Sequence, residues 1–252
     1  MVSSSTTPAS FDGLLDFHQT EESVSPYFPT TAEDNERDAK IVEKILETSD
    51  LRGFGVLIHR KHGLVMLQCS KPKKGKPVPH NQIPGGHVDK FEIVEQQKKQ
   101  PSNPWEPLYE AAKRGCVREI WEETGMDLRE SLERVRPLWL DDTKTSVGLR
   151  NEHKDRLFFV LEVADSDFLT KVPEAPSDSH GGEATGPGLV GPLNSSSDTE
   201  GLKLNISFEH TGFQFEKNPA VAIEEVRHHS GGKVSEALRR AFRALESSSK
   251  EA

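Results

Sequence analysis

Three glutamates that could bind a cation stand close together in the sequence: Glu119, Glu122 and Glu123. In an α-helix, residues three and four positions apart lie on the same face, so the three carboxylates would share one turn. Like charges at this spacing destabilise an isolated helix, and a cation bound between them would offset the repulsion. Carboxylate oxygens without sulfur ligands favour Mg²⁺ or Mn²⁺. The spacing therefore predicts a divalent-cation site on this helix.

The residues around these glutamates resemble the Nudix box, the sequence pattern of the Nudix hydrolases. The pattern is a glycine, five residues, a glutamate, seven residues, and then R-E-U-x-E-E-x-G-U, in which U is aliphatic. Arg118, Ile120, Gly125 and Met126 occupy the required places around the glutamates, and Glu110 precedes Arg118 by seven intervening residues. The second half of the pattern is therefore complete.

The first half of the pattern is interrupted. Residues 84–89 (PGGHVD) resemble the loop that opens the box, but 23 residues separate Gly86 from Glu110 where five are expected, an insertion of 18. Glu92 follows Gly86 by five residues and is the other candidate for the first glutamate, but it is too far from Arg118. We prefer Glu110, because one helix would carry both Glu110 and Arg118 and fix their relative positions. Residues 90–106 can then bulge out as a loop at small entropic cost.

The resemblance implies a fold and a chemistry. The fold class is α/β, the Nudix α/β/α sandwich with a mixed β-sheet between helices, and the reaction is hydrolysis of a phosphoanhydride bond. One to three Mg²⁺ ions, for which Mn²⁺ could substitute, would be held by the three glutamates and by the carbonyl group of Gly85. Arg118 would orient the glutamates by ion pairing. Either Glu209 or Glu119 would accept the proton of the attacking water.

A second feature lies downstream of the box. The pair Glu209 and His210 follows an apolar stretch, 202–208, that is typical of a strand, and two phenylalanines, Phe213 and Phe215, come next. This arrangement is similar to a feature of Nudix hydrolases that act on dinucleoside polyphosphates, in which the downstream glutamate is a metal ligand or the catalytic base. The resemblance implies that role for Glu209; an ordinary surface glutamate is the alternative.

A lysine-rich stretch precedes the box. Four of the six residues 71–76 are lysines, interrupted by proline and glycine, in a chain whose net charge is −9. A basic cluster close to a metal centre favours a substrate with several phosphates, although a solvated surface loop is the alternative. The candidate substrate-binding residues are Lys71, Lys73, Lys74, Lys76, Arg52, Gly86, His87 and His210.

These features favour diphosphoinositol polyphosphates or diadenosine polyphosphates as substrates. ADP-ribose or a nucleoside triphosphate is the alternative, but the aromatic and proline marks of enzymes for ADP-ribose, NADH or coenzyme A are not evident. Pro137, eleven residues beyond Met126, is too close to the box to be the ADP-ribose mark. A Nudix-like module that binds its ligand without turnover is the non-enzymatic alternative. Such modules commonly carry changes among the box glutamates, and this chain carries none.

Composition predicts one domain with tails and insertions. Only 33% of the 252 residues are hydrophobic, and the polar, proline- and glycine-rich stretches are concentrated in a few segments. We therefore expect a disordered tail over residues 1–33, a domain over residues 34–246 with flexible insertions at about 90–106 and 170–201, and a short tail over residues 247–252.

Charge, cysteine content and hydrophobicity limit the partners and the compartment. A net charge of −9 argues against a general nucleic-acid-binding surface. The two cysteines form neither a CxxC motif nor a disulfide framework, which favours a reducing compartment. No apolar run is long enough to span a bilayer. We expect a cytoplasmic protein, with the nucleus as the alternative, that acts on a small molecule without a membrane or nucleic-acid partner; its oligomeric state stays open.

Hydrophobic spacing predicts the elements that must position these residues. Two short apolar runs flank the turn residues 60–63 and predict a β-hairpin. Pro107 predicts the start of the box helix. The other expected elements are strands at 135–140, 157–163 and 202–208 and helices at 33–48, 219–227 and up to about 245.

Overall fold

The computed structural model describes residues 51–69, 79–98, 106–138, 156–171, 188–232 and 234–239, together with individual helical residues between 36 and 47. These residues form a mixed β-sheet with helices on both faces. The predicted α/β class is therefore confirmed. The lysine-rich stretch, both tails and residues 172–187 lie outside the described residues.

The sheet contains seven strands among the described residues, in the order β3-β2-β1-β6-β5, with β4 also paired to β1 and β7 to β2. The strands are β1 (Arg52–His59), β2 (Gly63–Cys69), β3 (His80–Gln82), β4 (Gly85–His87), β5 (Arg136–Pro137), β6 (Arg156–Val163) and β7 (His210–Glu216). The helices are α1 (Lys90–Gln97), α2 (Glu106–Thr124) and α3 (Pro219–Glu225). The central pair, β1 and β6, is parallel, whereas β2 and β4 run antiparallel to β1.

Helix α2 packs closely on one face of the sheet because β1 has glycines beneath it. A Cβ atom at Gly53 would lie 2.3 Å from the carbonyl oxygen of Ala112, and one at Gly55 would lie 2.7 Å from Ile120. The helix therefore approaches the strand more closely than side chains would allow. Within the described ranges, no helix is both long and apolar enough to cross a membrane.

The opposite face of the sheet carries a second apolar layer. Phe54 of β1 stacks on Phe158 of β6 with ring centroids 5.5 Å apart. Helix α3 and the helical residues 234–238 contribute Ala222, Val234 and Leu238 to this layer. The central strands are thus buried on both sides, which explains their nearly continuous apolar sequence.

A helix covers residues 90–97, where the sequence predicted part of a flexible insertion. The carboxylate of Glu92 accepts a hydrogen bond of 2.8 Å from the backbone amide of Asp89, which is one half of a capping box. Ile93 and Gln96 are buried on the inner side of this helix. The cap and the buried face together fix α1.

The segment at 202–208 does not form the expected strand. Apart from one bridge between Val190 and Leu204, it has an irregular backbone, and the strand begins later, at His210. The reason is that its amide groups bind the end of α2: the amide of Ser207 donates to the carbonyl of Glu123 at 3.0 Å. The predicted strand at 135–140 is likewise shorter, since β5 spans Arg136–Pro137 and residues 139–140 lie outside the described part.

Candidate active site

Strand β4 brings Gly85 against the C-terminal half of α2. Gly85 has a φ of +139°, a conformation that residues with a Cβ atom rarely adopt, and a Cβ there would lie 2.3 Å from the carbonyl oxygen of Gly53. Its backbone amide donates a hydrogen bond of 2.8 Å to Oε2 of Glu123. Gly85 therefore fixes the position of Glu123 relative to the sheet.

The next residue, Gly86, leaves room for the carboxylate of Glu119. A Cβ atom at Gly86 would lie 2.5 Å from the carboxylate carbon and from one carboxylate oxygen of Glu119. Any larger residue would displace this carboxylate or the strand. The acidic face of α2 thus packs directly against the backbone of β4, so that carboxylate oxygens of the helix lie next to peptide groups of the strand.

Arg118 is the centre of the ion pairs at this site. Its Nη1 donates to Oε1 of Glu119 at 3.2 Å and to Oε1 of Glu122 at 3.0 Å. Its Nε donates to Oε1 of Glu92 at 3.3 Å, and its Nη2 donates to the carbonyl oxygen of His87 at 2.7 Å. A planar guanidinium can serve several acceptors in fixed directions, which a lysine ammonium cannot. Arg118 thus joins α1, α2 and β4.

Glu92, and not Glu110, lies beside Arg118. Glu92 is 4% exposed, and it accepts hydrogen bonds from Arg118 and from the amide of Asp89. Glu110 precedes Arg118 by eight residues on the same helix, which corresponds to about 12 Å along the axis. This geometry reverses the preference for Glu110. With Glu92 in the place of the first glutamate, the additional residues fall between Glu92 and Arg118.

Burial determines the electrostatics of these carboxylates. Burial raises the pKa of Glu119 to about 7, with Arg118 opposing the change and Glu122 reinforcing it. Burial also raises the pKa of Glu92, against the effect of Arg118. Burial lowers the pKa of Arg118, but the carboxylates of Glu92, Glu119 and Glu122 outweigh it and keep that pKa above its ordinary value. One guanidinium does not fully compensate the buried acids, which favours a further cation here.

Buried residues next to Glu123 help to hold its side chain in place. The Nε2 atom of His210 lies 3.8 Å from Oε1 of Glu123, and its Nδ1 lies 2.9 Å from Oγ of Ser207. The side chain of Gln82 contacts the same imidazole, which is fully buried. The sequence predicted that His210 contacts the substrate. In the structure, Glu123, Ser207 and Gln82 enclose its ring instead.

Glu209 lies on an exposed turn next to this contact. Two hydrogen bonds anchor the turn to the end of α2: the amide of Ser207 donates to the carbonyl of Glu123, and the amide of Asn205 donates to the carbonyl of Thr124, both at 3.0 Å. The C-terminus of α2 therefore holds the segment that carries Glu209, two residues beyond a direct contact with Glu123.

Basic residues form a row at the same edge of the sheet. Arg52 of β1 is paired with His87 of β4 on one side and with Arg156 of β6 on the other. Cross-strand partners project to the same face, and alternation along β1 directs this row away from α2. The next pair in the register is Gly53 and Gly86, so the row borders the glycine loop. Arg156 was missed from the sequence, because a single strand does not reveal its register.

The residue types of the site fit the divalent cation that the resemblance implies. Carboxylate and peptide oxygens are the ligands that hard cations prefer. In this structure Arg118 holds Glu119 and Glu122, while the amide of Gly85 holds Glu123, so the carboxylates point to different partners. Helical neighbours at this spacing lie about 5–6 Å apart between Cβ atoms, which is within the reach of rotating glutamate side chains.

A NUDIX domain model matches residues 50–180, just over half of the chain. The chain belongs to the Nudix family. This Nudix protein is a hydrolase that acts on pyrophosphate bonds, and Nudix hydrolases use divalent metal ions and bind small phosphate-containing substrates. The matched residues include β1 to β6, both glycines of β4 and the complete acidic face of α2.

The Nudix chain also resembles solved structures at low sequence identity. It is similar to the MutT protein from Methanosarcina mazei Go1, with 13% identity and a TM-score of 0.33, over 79% of this chain and 94% of that one. It is also similar to a bifunctional NMN adenylyltransferase/ADP ribose pyrophosphatase from Francisella tularensis, with 11% identity and a TM-score of 0.32. That match covers 82% of this chain and 48% of the bifunctional protein, about half its length. No curated protein matches the chain.

Two supporting residues of the Nudix site, Gln82 and Ser207, were missed from the sequence, which carries no signal for either. Glu92 was considered but not preferred, although an acidic residue three positions after Asp89 is typical of a helix start with a capping box. The contacts of Gln82 and Ser207 with His210 arise from the pairing of β2 with β3 and β7 and from an irregular turn.

Proposed function

We propose that this Nudix hydrolase uses Mg²⁺, with Mn²⁺ as a substitute, to cleave phosphoanhydride bonds in polyphosphorylated small molecules. Its substrates are diphosphoinositol polyphosphates, diadenosine polyphosphates or both. The observation that supports the proposal most directly is the meeting of three glutamates of α2 with the glycine backbone of β4. The hydrogen bond of 2.8 Å from Gly85 to Glu123 and the close approach of Gly86 to Glu119 define that meeting.

Each residue of the site has a part in this reaction. Glu119, Glu122, Glu123 and the carbonyl of Gly85 would hold the metal, with Glu209 as a further ligand or as the base. A bound Mg²⁺ would supply neutralising charge for the phosphate oxygens and would lower the pKa of a water molecule.

The groups around the metal ligands orient them and accept the proton. Arg118 orients Glu119 and Glu122 through its two hydrogen bonds. The proton of the attacking water passes to Glu209 or to Glu119. Glu209 is exposed on its turn, and Glu119 lies against Gly86.

Arginines that border the glycine loop support a substrate with several phosphates. Arg52 and Arg156 lie in the row with His87 at the start of β1, on the sheet face opposite α2. Lys71, Lys73, Lys74 and Lys76 belong to the stretch that joins β2 to β3, a few residues before the same loop. Several phosphates require several cationic donors, and arginine matches phosphate geometry with two parallel hydrogen bonds.

A nucleotide with fewer phosphates, ADP-ribose or a nucleoside triphosphate, is the second candidate substrate. The observation that favours it is Phe208, whose side chain is 69% exposed directly before Glu209. An exposed aromatic ring beside a phosphate-binding site can stack on a nucleobase. A binding module without turnover is the remaining candidate, and the intact set of box glutamates speaks against it.

Turnover of a matched substrate panel tests the proposal. The panel contains a diphosphoinositol polyphosphate, diadenosine polyphosphates, ADP-ribose and nucleoside triphosphates, each with Mg²⁺ and then Mn²⁺, for the wild type and Glu122→Gln. We expect hydrolysis of the polyphosphates that is lost in the variant. Activity on ADP-ribose alone would contradict the substrate class but not the site. Ligand binding without any turnover would support a binding module instead of an enzyme.

The role of the lysines is tested separately. Replacing Lys71, Lys73, Lys74 and Lys76 with alanine should raise KM for the inositol substrate far more than KM for ADP-ribose. The control replaces Lys40 and Lys44, which are exposed on the helical segment that precedes β1. Equal increases of KM for both substrates would show that the lysines do not select a substrate with several phosphates.

A further inference from the structure

A second group of potential metal ligands lies at the other end of β1. His59 is the last residue of β1, His62 is in the turn before β2, and Asp165 follows β6. Among the described residues, this is the one trio of histidine, cysteine or acidic side chains whose ligand atoms lie within 4.8 Å of one another. None of the three belongs to the Nudix box.

The fold brings these residues together in two ways. The turn between β1 and β2 places the rings of His59 and His62 in a stack, with centroids 4.5 Å apart. The parallel pairing of β1 with β6 sets His59 opposite Val163, so Asp165 reaches the end of β1. The Nε2 atom of His59 then lies 2.7 Å from Oδ1 of Asp165.

The decisive observation concerns His62. This residue is only 4% exposed, and its Nε2 atom is buried without a hydrogen-bond partner. Most buried polar atoms of side chains have at least one partner, so an atom without one calls for an explanation. A metal ion bound between the two imidazoles and the carboxylate would supply the missing partner.

We propose that His59, His62 and Asp165 bind a Zn²⁺ ion. Two imidazole nitrogens and one carboxylate oxygen suit zinc, whereas the all-oxygen site of α2 suits Mg²⁺. The side chain of Asp165 is 77% exposed, so solvent can reach the site and water can occupy the fourth position of a tetrahedron.

Binding requires small local changes. Ligand atoms around tetrahedral zinc lie roughly 3.3 Å apart, since the bonds are about 2.0 Å long, so the contact between His59 and Asp165 must open. The Nδ1 atom of His59 accepts from the amides of Lys61 and His62, each at 3.2 Å. These long contacts must give way when Nδ1 takes the ring proton and Nε2 becomes the ligand.

The zinc ion would tie the β1–β2 turn to the end of β6, far from the hydrolytic site. Gly53 and Phe54 of β1 pair with Gly86 and Gly85, and His59 lies five or six residues further along the strand, roughly 17–20 Å away. The site is therefore separate from the hydrolytic site, and it does not depend on the proposed function.

Zinc content after equilibrium dialysis tests the site. The full chain carries Glu119→Gln, Glu122→Gln and Glu123→Gln, so that the box does not contribute; the wild type in excess Mg²⁺ is measured in parallel in case these changes impair folding. We expect about one equivalent of zinc in both. Asp165→Ala and His62→Gln, introduced separately, should each weaken binding at least tenfold. His228→Gln changes an imidazole outside the cluster and should leave binding unchanged.

Two further readouts separate a bound metal from a folding defect. Cobalt in place of zinc should give the visible absorption of a tetrahedral site, and Asp165→Ala, a change at an exposed residue, should remove it. Zinc should also raise the Tm of the parent chain but not that of Asp165→Ala. Absence of stoichiometric zinc in the wild type, or binding that survives both substitutions unchanged, would overturn the proposal.

Discussion

The two ends of β1 carry clusters that are built in opposite ways. At its start, Gly53 pairs with Gly86, and the missing side chains let the carboxylates of α2 approach the backbone. At its end, His59 and His62 lie among aromatic rings, with His62 5.2 Å from Phe215 between centroids. Charge pairing with one arginine positions the first cluster, whereas packing positions the second.

This difference indicates what each end can tolerate. A cluster held by charge pairs at a glycine backbone can exchange one partner for another. A cluster whose imidazoles pack among aromatic rings links the strands that carry them. Substitutions at the first end should therefore change activity more than stability, and substitutions at the second should change stability and metal content more than activity.

The largest expected effect is that of Glu123→Gln at the first end. It removes a proposed metal ligand and weakens the acceptor of the Gly85 amide, while the size of the side chain is kept. We expect kcat to fall by more than about 100-fold, since even outer partners of metal ligands cost 10–100-fold, with Tm nearly unchanged. Steady-state hydrolysis and thermal unfolding measure the two quantities.

The control for this substitution is Glu133→Gln, an exposed glutamate in a short 3-10 turn. It should leave both kcat and Tm unchanged. Hydrolysis by Glu123→Gln within tenfold of the wild-type rate would mean that the charge of this carboxylate does not serve the reaction.

Arg118→Lys should have the next largest effect. The charge remains, but an ammonium cannot donate at once to Glu119, Glu122, Glu92 and the carbonyl of His87. We expect a loss of about 10–100-fold in kcat with a smaller change in KM. Arg227→Lys, an exposed control, should be neutral. Full activity of Arg118→Lys would show that charge alone is required there.

The sequence was sufficient where the pattern is local. The helical spacing of Glu119, Glu122 and Glu123, the glycine pair and the first hairpin were all predicted, because each depends on residues a few positions apart. The role of Glu92 was misjudged although its capping signal was present. The helical spacing between Glu110 and Arg118 favoured Glu110. Only the folded structure shows that α1 packs beside Arg118 and brings Glu92 to it.

Contacts between distant segments could not be predicted from one sequence. His59 and Asp165 are 106 positions apart, and only the parallel pairing of β1 with β6 brings them together. The stretch at 202–208 has the composition of a strand, yet its amides bind the end of α2. Tertiary hydrogen bonding overrides local propensity in that segment.

Gly86→Ala should have a moderate effect on the free energy of unfolding. The new Cβ atom would lie 2.5 Å from the Glu119 carboxylate, so the strand or the side chain must shift. We expect a loss of about 1–3 kcal/mol, measured by urea unfolding, together with reduced activity. Gly191→Ala is the matched control, because nothing lies within 4 Å of its added atom. Equal effects of the two changes would contradict the close packing at the first end.

The smallest effect concerns Glu225 of α3, a carboxylate whose hydrogen-bond donors include the neutral amides of Asn81 and Gln214, at 2.8 and 2.6 Å. Burial, reinforced by Glu216, raises the pKa of Glu225 above its ordinary value. The folded state therefore binds this proton more tightly than the unfolded state, and stability falls as pH rises through the raised pKa.

Glu225→Gln removes that cost, so its advantage over the wild type should grow from pH 4 to pH 7. We expect a gain of no more than about 0.5 kcal/mol at pH 7, because the group is partly exposed. Urea unfolding at both pH values measures it, with Glu130→Gln, a change at an exposed glutamate, as the control. A constant difference between the two pH values would show that the ionisation of Glu225 does not affect folding.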